Sequence, residues 1–465
     1  MDKSSKIFKA TGWTLVTMIA GFFIFPYLLH EGMFFDGMTY SAVGRNLYLG
    51  HGTFWKPYYN EIDKPFYSHL PVAFGMLSQF YKIFGDNLYS PKIYNLFVVI
   101  VVAITIRSLW IKLDKDNKFI DWWPFIFLLV SPTVFNTIRN TMLENTVLMF
   151  ILIAIRFMWS AMESFKYRFL YLFLGAVFIF LAFLTKGVVA LFPFAFPFIY
   201  SLFHKGTTKR AIGYSFLLAG FFTVFLGLIV LLIPASRPYF YYYFNHTVGH
   251  AVAGQDAITE YKHFFIPIQL ALETLPFLIL SIPLFIFYKK RSIKINYNII
   301  FLLLLIGLSA SLPLMISPKQ RSYYLLPALP FYIMAFSMFM QPLILLWVSR
   351  VKKNKLFIVL PVFFIVVSIV YPLVYDTYPE YHHHLVGDCK KLDAQFPDKT
   401  ILSAHPGLAY NYKVVAFMAR IGVLTMSPDL PSDYLLTMKN EAVDSAHLEK
   451  LELGLVQFEL YKKKK

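Results

Sequence analysis

Asp36 and Glu144 each stand in a short polar stretch beside a long apolar run. A carboxylate placed there is partly desolvated yet reachable, which suits it to draw a proton from a hydroxyl as a general base. Cations occupy similar positions: Lys64 in Asp63-Lys64-Pro65, Arg139 shortly before Glu144, Lys186 in Thr185-Lys186-Gly187, and Arg321 close to Lys319, Tyr323 and Tyr324. Such groups hold phosphate oxygens through charge-assisted hydrogen bonds. His246, His250 and His263 lie near the aromatic run 239–244, and imidazoles beside carboxylates can hold a divalent metal.

Each of these residues also has a plainer reading. Asp36, placed before a helical run at 38–49, would cap that helix. Glu144 near a helix start is favoured by the macrodipole, and Lys186 at the end of an apolar run can simply snorkel to the interface. The histidines lack tight ligand spacing and can serve as interfacial hydrogen-bonding groups; the His382-His383-His384 run reads as solvated.

The elements that must position these groups are read from composition first. With 58% hydrophobic residues and a mean hydropathy of +0.57, the chain has too little polar surface to cover a soluble globule of this size. It reads as an all-α polytopic membrane protein. The formal charge of +17 is spread through short loops rather than gathered on one module, which argues for membrane orientation and against nucleic acid as a partner. The single Cys389 excludes an internal disulfide framework.

A span needs roughly 20 apolar residues. Candidates are 11–29, 92–111, 122–135, 143–161, 169–184, 188–203, 212–233, 265–287, 299–316, 324–348 and 356–375, about eleven helices. The first follows Lys3, Lys6 and Lys9 and has no small-residue cleavage site after it, so it reads as a retained anchor. Putting the short loops rich in Lys and Arg inside, among them Lys112/Lys115/Lys118 and Lys205/Lys209/Arg210, gives an unbroken alternation. The segments 30–91, 136–142, 185–187, 234–263 and 317–323 then face outward, with nearly every candidate reactive group on them or close to their ends.

Within the first outer segment, 69–84 has helical periodicity but is too short and mixed to span, and is expected along the interface. Residues 1–375 are expected to form the membrane domain and 376–465 a small α/β domain outside, with strands at 400–404, 434–438 and 453–460 and a helix at 408–420. No Gly-rich phosphate loop of the nucleotide-binding kind is present.

Asp36 with Tyr40, Asp63-Lys64-Pro65, Phe84-Gly85, Arg139 through Glu144, Leu184-Thr185-Lys186-Gly187 and Tyr324-Leu325-Leu326-Pro327-Ala328-Leu329-Pro330 occur in one order along the chain. That ordered set resembles bacterial C-type glycosyltransferases of the protein mannosyltransferase and aminoarabinose lipid A transferase group, over about residues 11–339. The resemblance implies a membrane enzyme that moves a sugar from a polyprenyl-phosphate donor, with inversion, to a hydroxyl or phosphate of a glycolipid or protein at the outer face of the cytoplasmic membrane. It implies Asp36 and Glu144 as the catalytic acids and Lys64, Arg139, Lys186 and Arg321 as ligands of the donor phosphate. Tyr40 and Tyr324 would line the cavity, and Asp63 with His263 would meet a divalent metal, with no nucleotide needed. The chain departs from the family pattern at Gly37, where many relatives carry Glu, at Glu144 in place of Asp, and at Phe66 after Pro65. A flippase of lipid-linked sugars and a glycan ligase or polymerase would share the topology.

Overall fold

A computed structural model describes residues 3–60, 65–253, 261–291, 293–351, 382–422, 424–443 and 447–464. Asp63 and Lys64, the expected span 356–375 and the expected domain boundary at 375/376 lie outside the described residues.

The chain opens with α1 (Lys3–Leu29), then α2 (Phe35–Tyr48), the two-residue strands β1 (Gly52–Thr53) and β2 (Lys56–Pro57), α3 (Val72–Phe84) and α4 (Ser90–Leu113). There follow α5 (Trp123–Val130), α6 (Pro132–Arg139), α7 (Leu143–Glu163), α8 (Arg168–Lys186), α9 (Phe196–Phe203) and α10 (Thr208–Leu232). The helical part closes with α11 (Ser236–Tyr242), α12 (Gly249–Ala253), α13 (Phe265–Arg291), α14 (Tyr297–Ser311) and α15 (Leu329–Val351). Seven helices among the described residues are long and apolar enough to cross a bilayer, or eight if one bent pair forms a single span. The chain is a multi-pass membrane protein, but the expected count of about eleven spans is not what these helices carry.

Proline chemistry explains part of the difference. Residues 122–135 do not form one helix: α5 and α6 meet at a bend of 84°. Ser131 at the junction is extended, and Pro132 cannot donate back to the preceding turn, so a new helix begins. The free amides of that new helix are met by Glu273 of α13, whose carboxylate accepts from Ser131 Oγ at 2.8 Å and from Thr133 N at 2.9 Å. Residues 188–203 are likewise broken, by Pro193 and Pro197, into 3₁₀ turns and the short α9.

One apolar core runs through the bundle, with Met158, Ile155 and Ala154 of α7 packed on Leu172, Ala176 and Ile179 of α8. α3 begins after Pro71 and packs on α2 so closely that a Cβ on Gly44 would stand 2.7 Å from the Leu77 side chain. The C-terminal region is a mixed sheet in the order β4-β3-β5-β7-β6, made of β3 (Ile401–Ala404), β4 (Thr425–Ser427), β5 (Tyr434–Met438), β6 (Leu448–Leu451) and β7 (Phe458–Lys463). β3 runs parallel to β4 and β5, and β7 antiparallel to β5 and β6. The expected helix at 408–420 is instead two pieces, Pro406–Ala409 and Tyr412–Ile421, because Asn411 caps the second through Lys413 N and Val414 N. The expected strand at 453–460 begins later: 453–457 are loop, and 458–460 form the first half of β7.

Candidate active site

Asp36 lies in the first turn of α2 rather than before it. The N-cap position is Phe34, with no side-chain cap bond, so Asp36 does not act as the cap of its own helix. Its Oδ2 instead accepts from the Tyr323 hydroxyl at 3.1 Å, across 287 residues of sequence. The approach to α2 is fixed by Asn140, whose Oδ1 accepts from Phe34 N at 2.7 Å. Gly37 completes that fit: a Cβ there would stand 2.9 Å from Met33 Sδ and 3.3 Å from Thr141 N. The small residue at this position lets the start of α2 sit against the turn before α7.

Glu144, in the first turn of α7, pairs with Lys186 at the end of α8; their side chains are 1% and 10% exposed. The second carboxylate oxygen of Glu144, Oε2, is buried without a hydrogen-bond partner. The Lys186 ammonium also lies over the rings of Tyr324, at 4.8 Å, and Tyr323, at 5.6 Å. Gly187 turns the chain at this point with φ +76°, and an added Cβ would overlap the Tyr243 hydroxyl, which accepts from Val188 N at 3.1 Å. Here glycine serves both the left-handed backbone and the close approach of Tyr243.

Four side chains from four elements therefore converge: Asp36, Glu144, Lys186 and Tyr323. Burial raises the Asp36 carboxyl above the usual carboxylate range, and the negative Glu144 adds to that; Lys186, the Tyr323 hydrogen bond and Arg321 pull the other way. The Tyr323 phenol is itself pushed well above its ordinary value, first by burial and then by Asp36, so it stays protonated and donates. A carboxylate in such a place is a base with a raised affinity for protons.

The other expected residues fall at varied distances from this centre. Tyr40, one turn beyond Asp36, is buried and shares a 3.2 Å hydrogen bond with Nε2 of His69. Burial, with Lys186 and Lys319 adding to it, drives the His69 imidazole down to about 3, so it is neutral. Tyr324 stacks beneath Lys186, and Arg321 acts on Asp36 through its charge. Arg139 is held differently: its guanidinium lies 3.7 Å from the Tyr27 ring centroid and 3.6 Å from that of Phe135, and donates to Asn136 Oδ1 at 2.6 Å. His263 is exposed, with Nδ1 2.6 Å from the Met315 carbonyl oxygen. Among the described residues no three His, Cys, Asp or Glu side chains gather as a metal site.

His69, Asn140 and Gln320 were not singled out by sequence. Gln320, fully buried, accepts from Ile266 N at 2.7 Å and donates to the carbonyls of His263, Leu314 and Ser317, tying the turn that bears Arg321 and Tyr323 to the start of α13. An amide between Lys319 and Arg321 carries no periodic or motif signal; only the fold reveals its partners.

No protein-family model matches the chain, and no curated protein matches it in sequence. Solved structures do. ArnT from Cupriavidus metallidurans bound to undecaprenyl phosphate is 10% identical, with a TM-score of 0.67 over 97% of this chain and 98% of that one. The same protein in the apo state is 11% identical, with a TM-score of 0.65 over the same shares. The archaeal oligosaccharyltransferase AglB from Archaeoglobus fulgidus, in complex with an inhibitory peptide and a dolichol-phosphate, is 11% identical with a TM-score of 0.52, over 92% of this chain and 69% of that one. At these identities the likeness is one of fold: the chain has the fold that ArnT and AglB share.

Proposed function

We propose that the protein is an inverting glycosyltransferase that moves a sugar from a polyprenyl-phosphate donor to an acceptor hydroxyl or phosphate on a glycolipid or protein. The reaction takes place at the outer face of the cytoplasmic membrane. The observation that carries this reading is the meeting of Asp36, under its raised proton affinity, with Lys186 on a buried counter-ion. The fold belongs to chains one of which is seen with undecaprenyl phosphate and another with a dolichol-phosphate, which supports a lipid-linked donor.

In this mechanism Asp36 takes the proton of the acceptor group while the acceptor oxygen bonds to the anomeric carbon from the side opposite phosphate. The bond from that carbon to the phosphate oxygen breaks, and the electron pair leaves with polyprenyl phosphate. Lys186 and Arg321 stabilise the charge that develops on the leaving oxygen; Lys64 and Arg139 would bind outlying phosphate oxygens. Glu144 orients Lys186, and Tyr323 orients Asp36. Tyr40 and Tyr324 wall the cavity around the sugar. The intramembrane acid that would best serve a transporter, Glu273, has both oxygens engaged in holding α6.

The test is to incubate purified protein with polyprenyl-phosphate sugars and candidate acceptors and follow release of polyprenyl phosphate. Sugar transfer, with inverted configuration in the product, supports the reading; release by water alone or no consumption of any such donor contradicts it. Repeating the assay after chelation tests Asp63 and His263: loss of transfer, restored by a divalent ion, would give them a metal to hold.

A further inference from the structure

The apolar core of the C-terminal region does not end at its own sheet. Met33 and Met38, which flank Asp36, belong to the same buried cluster as Leu385, Cys389, Phe417 and Met418, and Phe35 packs against it. The two methionines are 2% and 0% exposed. The residues on either side of the proposed base are thus inserted into a core built mostly from residues 385–460.

A polar node lies farther along the same helix. Arg45 of α2 donates from Nε to Asp86 Oδ2 at 2.5 Å and from Nη1 to the carbonyls of Arg420 and Ile421, at 3.1 and 3.4 Å. Those carbonyls end the helix Tyr412–Ile421, where a cation is favoured by the helix dipole. In return Arg420 reaches out of that helix to Asp86 Oδ1 at 3.4 Å and to the Asn87 carbonyl at 2.6 Å. Its guanidinium lies 5.0 Å from the ring of Tyr81, whose hydroxyl donates to the Ser41 carbonyl of α2 at 3.2 Å. The Arg420 side chain is only 2% exposed. One carboxylate serves two guanidinium groups, so the arrangement is satisfied only while α2, the turn after α3 and the C-terminal helix stay in register.

We infer that the C-terminal region is the positioning element for Asp36, with Arg420 its principal positioning residue, and that it sets where the carboxylate stands relative to Tyr323 and Lys186. The catalytic meaning of that placement rests on the function proposed above. Tyr323 and Lys186 are anchored to the helical bundle, whereas α2 is held between the bundle and the C-terminal core. A shift of α2 moves the base without moving the phosphate ligands. Misplacement by about 1 Å can lower a rate by on the order of 100-fold.

The experiment compares the full-length parent with Arg420→Ala, Arg420→Lys and Arg45→Lys by hydrogen exchange and by transfer kinetics. Lys450→Gln, on the outer strand β6, is the control. For Arg420→Ala, the amides of α2 should exchange faster while those of α7 and α8 do not change. Its kcat should fall on the order of 100-fold with the donor KM within about twofold. The two lysine variants, which keep charge but lose the forked geometry, should fall between Ala and parent, and remain informative where Arg420→Ala does not fold. Unchanged α2 exchange and kcat in all three Arg variants would overturn the inference, and so would a rise in KM at unchanged kcat. If the parent transfers no sugar, the functional reading fails, while the exchange measurement still decides whether this region holds α2.

Discussion

Near one end of α1, the fully buried Asp121 accepts from Lys9 Nζ at 2.8 Å, Arg107 Nε at 2.7 Å and Trp13 Nε1 at 2.9 Å. Just past the other end, Asp36 has the Tyr323 hydroxyl at 3.1 Å and faces the buried acid Glu144. Donors surround Asp121 and lock its carboxyl group into the fold. At Asp36, burial and a like charge outweigh the donors, and the carboxylate is left with an appetite for a proton. Burial by itself therefore does not mark a working acid; the balance of donors around it does. Glu273 falls with Asp121, since both of its oxygens are bonded.

The sharpest way to strain this contrast is Lys186→Gln, which removes the proposed phosphate ligand and leaves Glu144 without its counter-ion. Transfer should fall roughly 10²–10³-fold, read as initial rates at saturating acceptor. A fall of less than threefold would take Lys186 out of the leaving-group site.

Tyr323→Phe should act more mildly, by about tenfold, and should also alter the pH profile. Transfer needs Asp36 ionised, and its pKa is raised by burial, so activity should rise with pH across a limb above the ordinary carboxylate range. The Tyr323 hydrogen bond opposes that rise, so its loss should move the limb to higher pH. A limb that stays in place or moves down would mean that Tyr323 does not tune the base.

The smallest effect is expected at Glu273→Gln. The amide keeps one acceptor for α6, so the apparent unfolding free energy should drop by about 1–3 kcal/mol while transfer per folded molecule remains that of the parent. A variant that folds normally but no longer transfers would move Glu273 from the structural group to the working one.

The difference between the two kinds of acid was only half legible in the sequence. The polar stretches between apolar runs, the start of α2 near Asp36 and the positions of Glu144 and Lys186 follow from the apolar runs and the charges between them. The expected strand at 434–438 matches β5 in both bounds. What local pattern could not show is pairing over distance: Tyr323 on Asp36, Asn140 on Phe34, and Met33 and Met38 in the core of the C-terminal region. Each depends on packing between elements hundreds or scores of residues apart. The same limit covers Arg139, whose contacts with the rings of Tyr27 and Phe135 no local pattern shows. Prolines break the apolar runs at Pro132, Pro193 and Pro197, and apolar length alone does not reveal how backbone donors freed by such a break will be satisfied.

The most direct test of the account places the two aspartates side by side, with transfer rate and thermal unfolding measured for Asp36→Asn and Asp121→Asn. Asp36→Asn should unfold like the parent and transfer about 10²–10⁴-fold more slowly. Asp121→Asn should lose about 3 kcal/mol of stability and transfer normally per folded molecule. An Asp36→Asn protein that transfers as fast as the parent would contradict the account.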